Sequence, residues 1–205
     1  MKSKRSLRER KKEVTAHALA DTTFQLALEK GMDGFVIEDV VQRAGYSRRT
    51  FANYYSCKEE AVAMVVMTHH SIDEFVDLIN DLPEETSPVE VMYLFAKMQL
   101  TEEVILKMHQ LVLLSNMYPT LQPYALKVIH ETQARAQQVL DDLFHERYSS
   151  IYTHHLAGTV CAAILPLVDG KLNVLLPRQS PDEVSDAISF NQYLDDIFVY
   201  IRNGF

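Results

Sequence analysis

Two adjacent arginines, Arg48 and Arg49, are the residues of this sequence best suited to specific recognition chemistry. Each guanidinium presents paired N–H donors that match the O6 and N7 acceptors of guanine, and one such pair gives about 1–3 kcal/mol of discrimination between bases. Ser47 stands directly before them and can cap a helix that begins at Arg48. The arginines would then lie in the first helical turn, where free backbone N–H groups also favour phosphate.

Polar and aromatic residues follow the arginine pair at positions where they could hold a phosphate backbone. Contacts of this kind set the register of a protein on a nucleic acid without reading its sequence. The candidate DNA-binding residues are Ser47, Arg48, Arg49, Thr50, Asn53, Tyr54 and Lys58. A surface pair of short helices with two solvated arginines is the alternative interpretation.

The elements around the arginine pair predict a helix-turn-helix. A short helix is expected from about Glu38 to Ala44, ended by Gly45, and a second from Arg48 to about Tyr54. Two helices joined by a short turn that contains glycine form this motif. Its second helix enters the major groove with its N-terminal residues on the base edges. The arginine pair is therefore expected at the tip of a recognition helix.

Charge is spread unevenly along the chain, whose formal net charge is -8. The first 60 residues hold 12 Lys and Arg against 9 Asp and Glu, and the first 14 alone hold 7 against 2. Such asymmetry favours a basic N-terminal arm that contacts a polyanion and an acidic body with another task. An acidic pI of about 5.5 does not exclude nucleic-acid binding, since the local field acts at the contact.

The remaining periodicity predicts an all-α fold with about nine helices. Serine followed three residues later by glutamate marks helix starts in SCKE at 56–59, SPVE at 87–90 and SPDE at 180–183. SCKE would open a long fourth helix with an apolar stripe of Val62, Val65, Val66, Ile72, Val76 and Ile79. Gly31 would end the first helix, at about 8–30. The later helices are expected at about 88–100, 102–117, 120–148, 152–169 and 181–202, and no segment alternates as a strand does.

Residues from about Thr15 to Ala61 resemble the DNA-binding domain of the TetR family of bacterial transcriptional regulators. The similarity is carried by LALEKGMDGFVIEDVVQRAGYSRRTFANYYSCKEEA. The positions that match the family pattern are Ala44, Gly45, Ser47, Thr50, Phe51, Tyr54, Tyr55 and Lys58. Val36 departs from a frequent Thr or Ser that caps helix two and contacts phosphate, and Ala52 departs from a common tyrosine that contacts phosphate. Asn53 and Tyr54 could compensate.

This resemblance implies a cytoplasmic repressor that binds a palindromic operator as a homodimer and is released by a small-molecule effector. It implies a three-helix DNA-binding domain at 1–60 and a larger helical domain at 61–205 that dimerises and binds the effector. The last two helices, at 152–169 and 181–202, would form the dimer's four-helix bundle. The run VCAAILPLV at 160–168 suits such an interface and suits a buried core helix equally. A helical adaptor protein without sequence-specific DNA binding is the alternative function, and activation in place of repression stays open.

An apolar or aromatic effector is the expected ligand of the second domain. Methionine is flexible and lines adaptable pockets, and six of the eight methionines lie between Met64 and Met117. The candidate ligand-binding residues are Met67, Phe75, Met92, Phe95, Met108, Tyr118 and Tyr124. For each of them, an ordinary place in the core is the alternative interpretation.

Other kinds of site find little support in the sequence. The histidine pairs at 69–70 and 154–155 have no metal-ligand spacing with cysteine or carboxylate, so neither a metal nor another cofactor is expected. No catalytic residue is proposed, because nucleophile elbow, phosphate loop and metalloprotease motifs are missing. Cys57 could be a redox switch or a plain surface cysteine. The basic N-terminus lacks the apolar stretch of a secretory signal, and the longest apolar run is too short to span a bilayer, so no membrane contact is expected.

Overall fold

The computed structural model of this 205-residue chain describes residues 7–67, 75, 79, 82–83, 85–168, 171–176 and 187–204. This part of the chain contains nine α-helices and almost no strand, which confirms the predicted all-α fold. Most of the predicted helices are present, with ends that differ by a few residues.

The helices are α1 Leu7–Lys30, α2 Ile37–Ala44, α3 Arg48–Ala52, α4 Lys58–Ala63, α5 Pro88–Gln99, α6 Glu102–Met117, α7 Gln122–Phe144, α8 Ser150–Val168 and α9 Phe190–Asn203. Single 3₁₀ turns occupy Met32–Gly34, Met64–Val66 and Pro119–Leu121. Two short strands, β1 Val174–Leu175 and β2 Ile188–Ser189, pair in parallel. No strand was predicted, since two residues are too few for an alternating pattern to be visible.

Packing divides the chain into two compact units. Unit 1 comprises Met1–His69 and Leu111–Val128, and unit 2 comprises His70–Gln110 and Ile129–Phe205. In unit 1, α1 packs against α2 and α4. The largest fully buried side chains of unit 1 are Leu19, Phe24, Leu26, Met32, Phe51 and Leu121. The sequence-based division at residue 60 separates an expected DNA-binding domain from an expected effector-binding and dimerisation domain. It does not describe packing, and this functional division stays a prediction.

In unit 2, α9 packs against α5 and both strands. Phe198 is fully buried, and its ring meets the ring of Tyr93 edge to face at 5.1 Å. Arg202 of α9 forms an ion pair with Glu90 of α5 at 2.8 Å. Exposed ion pairs add little to stability, so the apolar contacts carry most of this packing.

Several predicted helix boundaries are confirmed by the chemistry of their end residues. Gly31 follows α1 with φ 70°, and Gly45 follows α2 in the left-handed conformation with φ 74°. Both φ values disfavour residues that carry a Cβ. The Ser87 hydroxyl accepts from the Glu90 backbone N–H at the start of α5, as SPVE predicted.

The predicted cap and length of the fourth helix are wrong. Cys57 and not Ser56 is the N-cap, because its sulfur accepts from the Glu60 backbone N–H at 3.4 Å. The α-helix ends at Ala63, and Met67 is extended after a 3₁₀ turn. Valines at 65 and 66 lose rotamer freedom in a helix, which favours an early end there. Of the rest of the predicted stripe, Ile72 and Val76 lie outside the described residues.

The predicted start of the last helix is also wrong. The α9 helix begins at Phe190, and the Ser189 hydroxyl caps it by accepting from the Gln192 backbone N–H. Ile188, which falls inside the helix predicted at 181–202, lies in β2. The SPDE segment at 180–183 lies outside the described residues.

Gly31→Ala is expected to destabilise unit 1. Gly31 has φ 70° and ψ 167°, a conformation nearly restricted to glycine, so alanine there costs about 1–3 kcal/mol. A Cβ at this position would also clash with the Tyr118 hydroxyl oxygen. In a Tyr118→Phe background the loss in unfolding free energy, measured by urea denaturation, should be smaller. An equal loss in both backgrounds would show that the close approach to Tyr118 is unimportant.

Candidate nucleic-acid interface

The turn between α2 and α3 directs α3 away from the end of α2. The Gly45 N–H and the Tyr46 N–H both donate to the Val41 carbonyl, the latter at 2.9 Å. This closure depends on the left-handed backbone of Gly45. Three residues, 45–47, therefore separate the two helices, and the predicted arrangement of helix, glycine turn and helix is confirmed.

Ser47 caps α3, as the sequence predicted. The Ser47 hydroxyl oxygen accepts from the Thr50 N–H at 3.0 Å, and the two hydroxyl oxygens lie 2.8 Å apart. A cap of this kind is worth about 1 kcal/mol. Because α3 has only five residues, that contribution is large beside what the helix could supply alone.

Aromatic residues anchor α3 to the core of unit 1. Phe51 is 1% exposed, and its ring centroid lies 5.7 Å from that of Tyr55. The Tyr55 hydroxyl donates to the Ala16 carbonyl of α1 at 2.8 Å, and burial raises the pKa of this tyrosine. Tyr54 is half-buried and packs against the same core. Phe51 thus fixes the inner face of α3 in the core of unit 1, and Tyr55, just after the helix, joins this region to α1.

The outer side of α3 carries the predicted base readers. Arg48 and Arg49 are both exposed, as is Asn53 at the end of the helix. Arg48 Nη1 donates to Glu38 Oε1 of α2 at 2.6 Å. Within the described residues, the Arg49 side chain has neither a hydrogen bond nor an ion pair. We call the surface formed by Glu38, Arg48, Arg49 and Asn53 the reading face.

Lys58 is placed differently from the other candidate contacts. Its ammonium donates to the Met32 carbonyl and, at 3.0 Å, to the Phe35 carbonyl, and it lies 4.9 Å from the centroid of the Phe35 ring. Two of its three N–H donors are therefore used to hold the segment between α1 and α2. This placement gives Lys58 a structural role and leaves one donor for a phosphate.

The two departures from the family pattern, Val36 and Ala52, both lie exposed. Val36 is the N-cap residue of α2 and makes no side-chain cap, as predicted. Its backbone N–H donates to the Asp39 carboxylate at 2.8 Å. Asp39 was not predicted, although a carboxylate three residues after the N-cap is half of a capping box. Glu38 was not predicted either, because no local pattern indicates its pairing with Arg48.

A polar network links the start of α4 to α7 within unit 1. Glu60 accepts from Lys127 at 2.7 Å and, through its other oxygen, from the Ser56 N–H and hydroxyl at 2.8 Å. Burial acts to raise the pKa of Glu60, but these hydrogen bonds outweigh it and lower the pKa to about 2. Tyr124 lies beside Cys57, which raises the pKa of the tyrosine.

The Glu60 network should make stability depend on pH. Because its pKa falls from 4.5 to about 2 on folding, Glu60 contributes stability above about pH 4.5 and loses it as the pH falls towards 2. Glu60→Gln should therefore lower the unfolding free energy at pH 7 by about 1–2 kcal/mol, a difference that narrows in acid. Urea denaturation across this pH range tests it, with Glu59→Gln as the control for charge. Parallel pH profiles for the wild type and Glu60→Gln would contradict the prediction.

The seven candidate ligand residues are divided between the units. Met67, Tyr118 and Tyr124 belong to the core of unit 1, and the other four, Phe75, Met92, Phe95 and Met108, belong to unit 2. In unit 2, Phe75 is fully buried and meets the Phe95 ring edge to face at 4.9 Å, and Met92 is buried. Neither unit by itself brings all seven together.

Within the residues that could be searched, no group of three His, Cys, Asp or Glu side chains could hold a metal ion. His154 contacts Gln137 and His155 contacts the Ile151 carbonyl, with the two rings nearly perpendicular. Cys161 is mostly buried, and burial raises the pKa of its thiol to about 11. No described helix is long and apolar enough to cross a membrane.

No protein-family model matches this chain, and no curated protein does. The resemblance to the TetR family therefore depends on the residues between Thr15 and Ala61.

Proposed function

We propose that this chain is a DNA-binding transcriptional regulator that binds a palindromic operator as a homodimer in the cytoplasm, acts as a repressor and is released by a small-molecule effector. One observation carries the proposal. A short capped helix, anchored to the core by Phe51, presents Arg48 and Arg49 to solvent in its first turn, directly after a glycine turn. Major-groove recognition needs this combination of a rigid inner face and an exposed basic tip.

Sequence reading and general affinity are assigned to different parts of the chain. The reading face supplies base contacts, and the basic arm that precedes α1 supplies contacts to phosphate that are independent of sequence. A helix of five residues can touch only a few base pairs. Adequate specificity therefore requires two copies of α3, about 34–36 Å apart on successive turns of the duplex.

Exposed apolar side chains on the last two helices support the dimer. Ile151 and Tyr152 of α8 and Val199 and Tyr200 of α9 are all exposed in the isolated chain. Dimer interfaces are richer in apolar side chains than the remaining protein surface. The dimer is proposed to form through α8 and α9.

Ile151→Glu combined with Tyr200→Glu is expected to produce a monomer, because the dimer would bury two carboxylates from each protomer in its interface. This monomer should bind operator DNA at least 100-fold more weakly. Sedimentation velocity measures the mass. Leu113→Glu with Leu126→Glu is the matched control, because it adds the same charge at two other exposed apolar positions, on α6 and α7. A monomeric wild type, or dissociation of both variants alike, would refute the assignment of the interface.

The effector is proposed to be apolar or aromatic. Phe75, Met92 and Phe95 in unit 2 offer aromatic and thioether surfaces of the kind that line such sites. Binding could release the operator only if the effector had unequal affinity for the conformations that do and do not fit the DNA. Release is then a shift in the distance between the two copies of α3.

Selection from random duplex DNA by the purified full-length protein tests the central claim. The expected result is a consensus with two-fold symmetry and guanine in each half-site, with an affinity that falls as salt is raised. Duplexes that survive would then serve for effector screening. Recovery of no consensus would refute the regulator and favour the helical adaptor that does not read sequence.

A further inference from the structure

The ion pair between Glu38 and Arg48 joins the first turn of α2 to the first turn of α3. Arg48 Nη1 lies 2.6 Å from Glu38 Oε1, and the two side chains are 73% and 56% exposed. An ion pair this exposed contributes little to folding stability. Its position on the reading face is therefore the property that needs an explanation.

A carboxylate on a surface that meets DNA opposes binding in general. Every nearby phosphate repels it, and this repulsion is independent of the base sequence. Arg49, one residue further along α3, has no carboxylate partner in the described part of the chain. Of two neighbouring arginines on the same helix, Arg48 is thus presented to DNA as part of an ion pair and Arg49 without one.

We infer that Glu38 is a specificity-determining residue, which holds Arg48 in one orientation for reading a single base pair in each half-site. This inference rests on the proposed function and concerns the selectivity of the same surface. Nη1 is bound to Glu38, which leaves the N–H donors of Nη2 and Nε on an exposed side chain for the paired acceptors of guanine. Less side-chain freedom is lost on binding the correct base, because Arg48 is already restrained.

The carboxylate also acts against the wrong partners. Specificity is a difference between affinities, and it increases when binding to competing sequences is weakened. On a non-cognate duplex, Arg48 would have to leave Glu38 to reach a phosphate, and the freed carboxylate would then face the DNA backbone unpaired. Glu38 thereby favours base contact by Arg48 over phosphate contact.

Unit 1 contains a matched control for this ion pair. Arg43 Nη1 of α2 lies 2.8 Å from Glu29 Oε2 of α1, with side chains that are 43% and 49% exposed. This second pair has the same chemistry and similar exposure, but neither partner lies on α3. Removing Glu29 changes the net charge by the same amount as removing Glu38.

The test compares the full-length wild type with Glu38→Ala, Glu38→Gln and Glu29→Ala, using the duplexes that the wild type selects and a random duplex. Glu38→Ala should lower the preference at one base pair of each half-site about 2- to 5-fold, because Arg48 itself remains and an exposed ion pair restrains it by at most about 1 kcal/mol. Its affinity for the random duplex should rise. Glu38→Gln keeps an acceptor oxygen and should retain more of the preference, and Glu29→Ala should retain all of it.

A merely structural role for Glu38 predicts a different result. An acidic residue in the first turn of α2 also stabilises the helix by its interaction with the helix dipole. Losing that contribution would weaken binding to all duplexes equally. The readout that separates the two roles is the Arg48→Ala background, in which Glu38→Ala should no longer change any base preference.

Three results would overturn the inference and leave a sequence-reading regulator intact. These are an unchanged base preference in Glu38→Ala, an equal change in Glu29→Ala, and a change in base preference that persists in the Arg48→Ala background. Failure of the wild type to select any consensus is a separate outcome. It refutes the proposed function, and this inference with it.

Discussion

Arg49→Ala is expected to weaken binding to the selected operator by about 1–3 kcal/mol per half-site and to abolish the preference at one or two base pairs there. Arg49 is exposed in the first turn of α3 and is not committed to a carboxylate, so its guanidinium is free to meet a guanine. In a symmetric dimer the loss occurs twice. Competition binding with single-base operator variants, at constant salt, measures the affinity and the preference together.

A substitution in the N-terminal arm separates base reading from general attraction. Lys4→Ala with Arg5→Ala removes two charges from the basic arm, which lies outside the described residues. This pair should weaken binding to every duplex similarly and reduce the dependence of affinity on salt. Equal effects of the arm variant and Arg49→Ala on base preference would show that α3 does not read the sequence.

Local chemistry made the region around α2 and α3 predictable from sequence. Gly45 needs a left-handed backbone, and Ser47 needs the Thr50 N–H three residues later. Both requirements involve only neighbouring residues, so a single sequence can show them. The helical assignment of residues 37–52 therefore held to within two residues.

Two predicted helix starts were wrong because a second candidate cap lies nearby in the sequence. The motif SPDE resembles a capping box, but α9 begins after Ser189, where Ser189 and Gln192 have the same three-residue spacing. At α4, the cap is a cysteine sulfur, an acceptor that the usual cap preferences do not include. In both places the three-residue spacing between a cap and its partner fits the observed helix start. The spacing alone did not show which of two nearby candidates is the cap.

Contacts between elements were beyond single-sequence reasoning. Glu38 and Arg48 are ten residues apart on different helices, and Lys58 reaches carbonyls more than twenty residues earlier in the chain. No periodic pattern encodes such pairs, since the turn geometry and the packing of α1 decide which atoms meet. For this reason the sequence did not predict that Lys58 holds the backbone of residues 32–35.

Phe51→Ala should lower the unfolding free energy of unit 1 by about 3–5 kcal/mol, the usual loss when a buried phenylalanine is truncated to leave a cavity. Phe51 is 1% exposed and lies between α3 and the core of unit 1. Urea denaturation followed by circular dichroism measures this loss. Phe24→Ala is the matched control, because Phe24 of α1 is also fully buried in unit 1 but does not belong to α3.

The two variants should differ in DNA binding although they lose similar stability. At temperatures where both remain folded, Phe24→Ala should bind the selected operator nearly as the wild type does. Phe51→Ala should bind at least tenfold more weakly, because α3 loses its anchor and must be ordered again when it enters the groove. Equal operator affinity in the two folded variants would mean that the cap at Ser47 alone suffices to hold α3. Anchoring of α3 by Phe51 would then not be required for Arg48 and Arg49 to contact the bases.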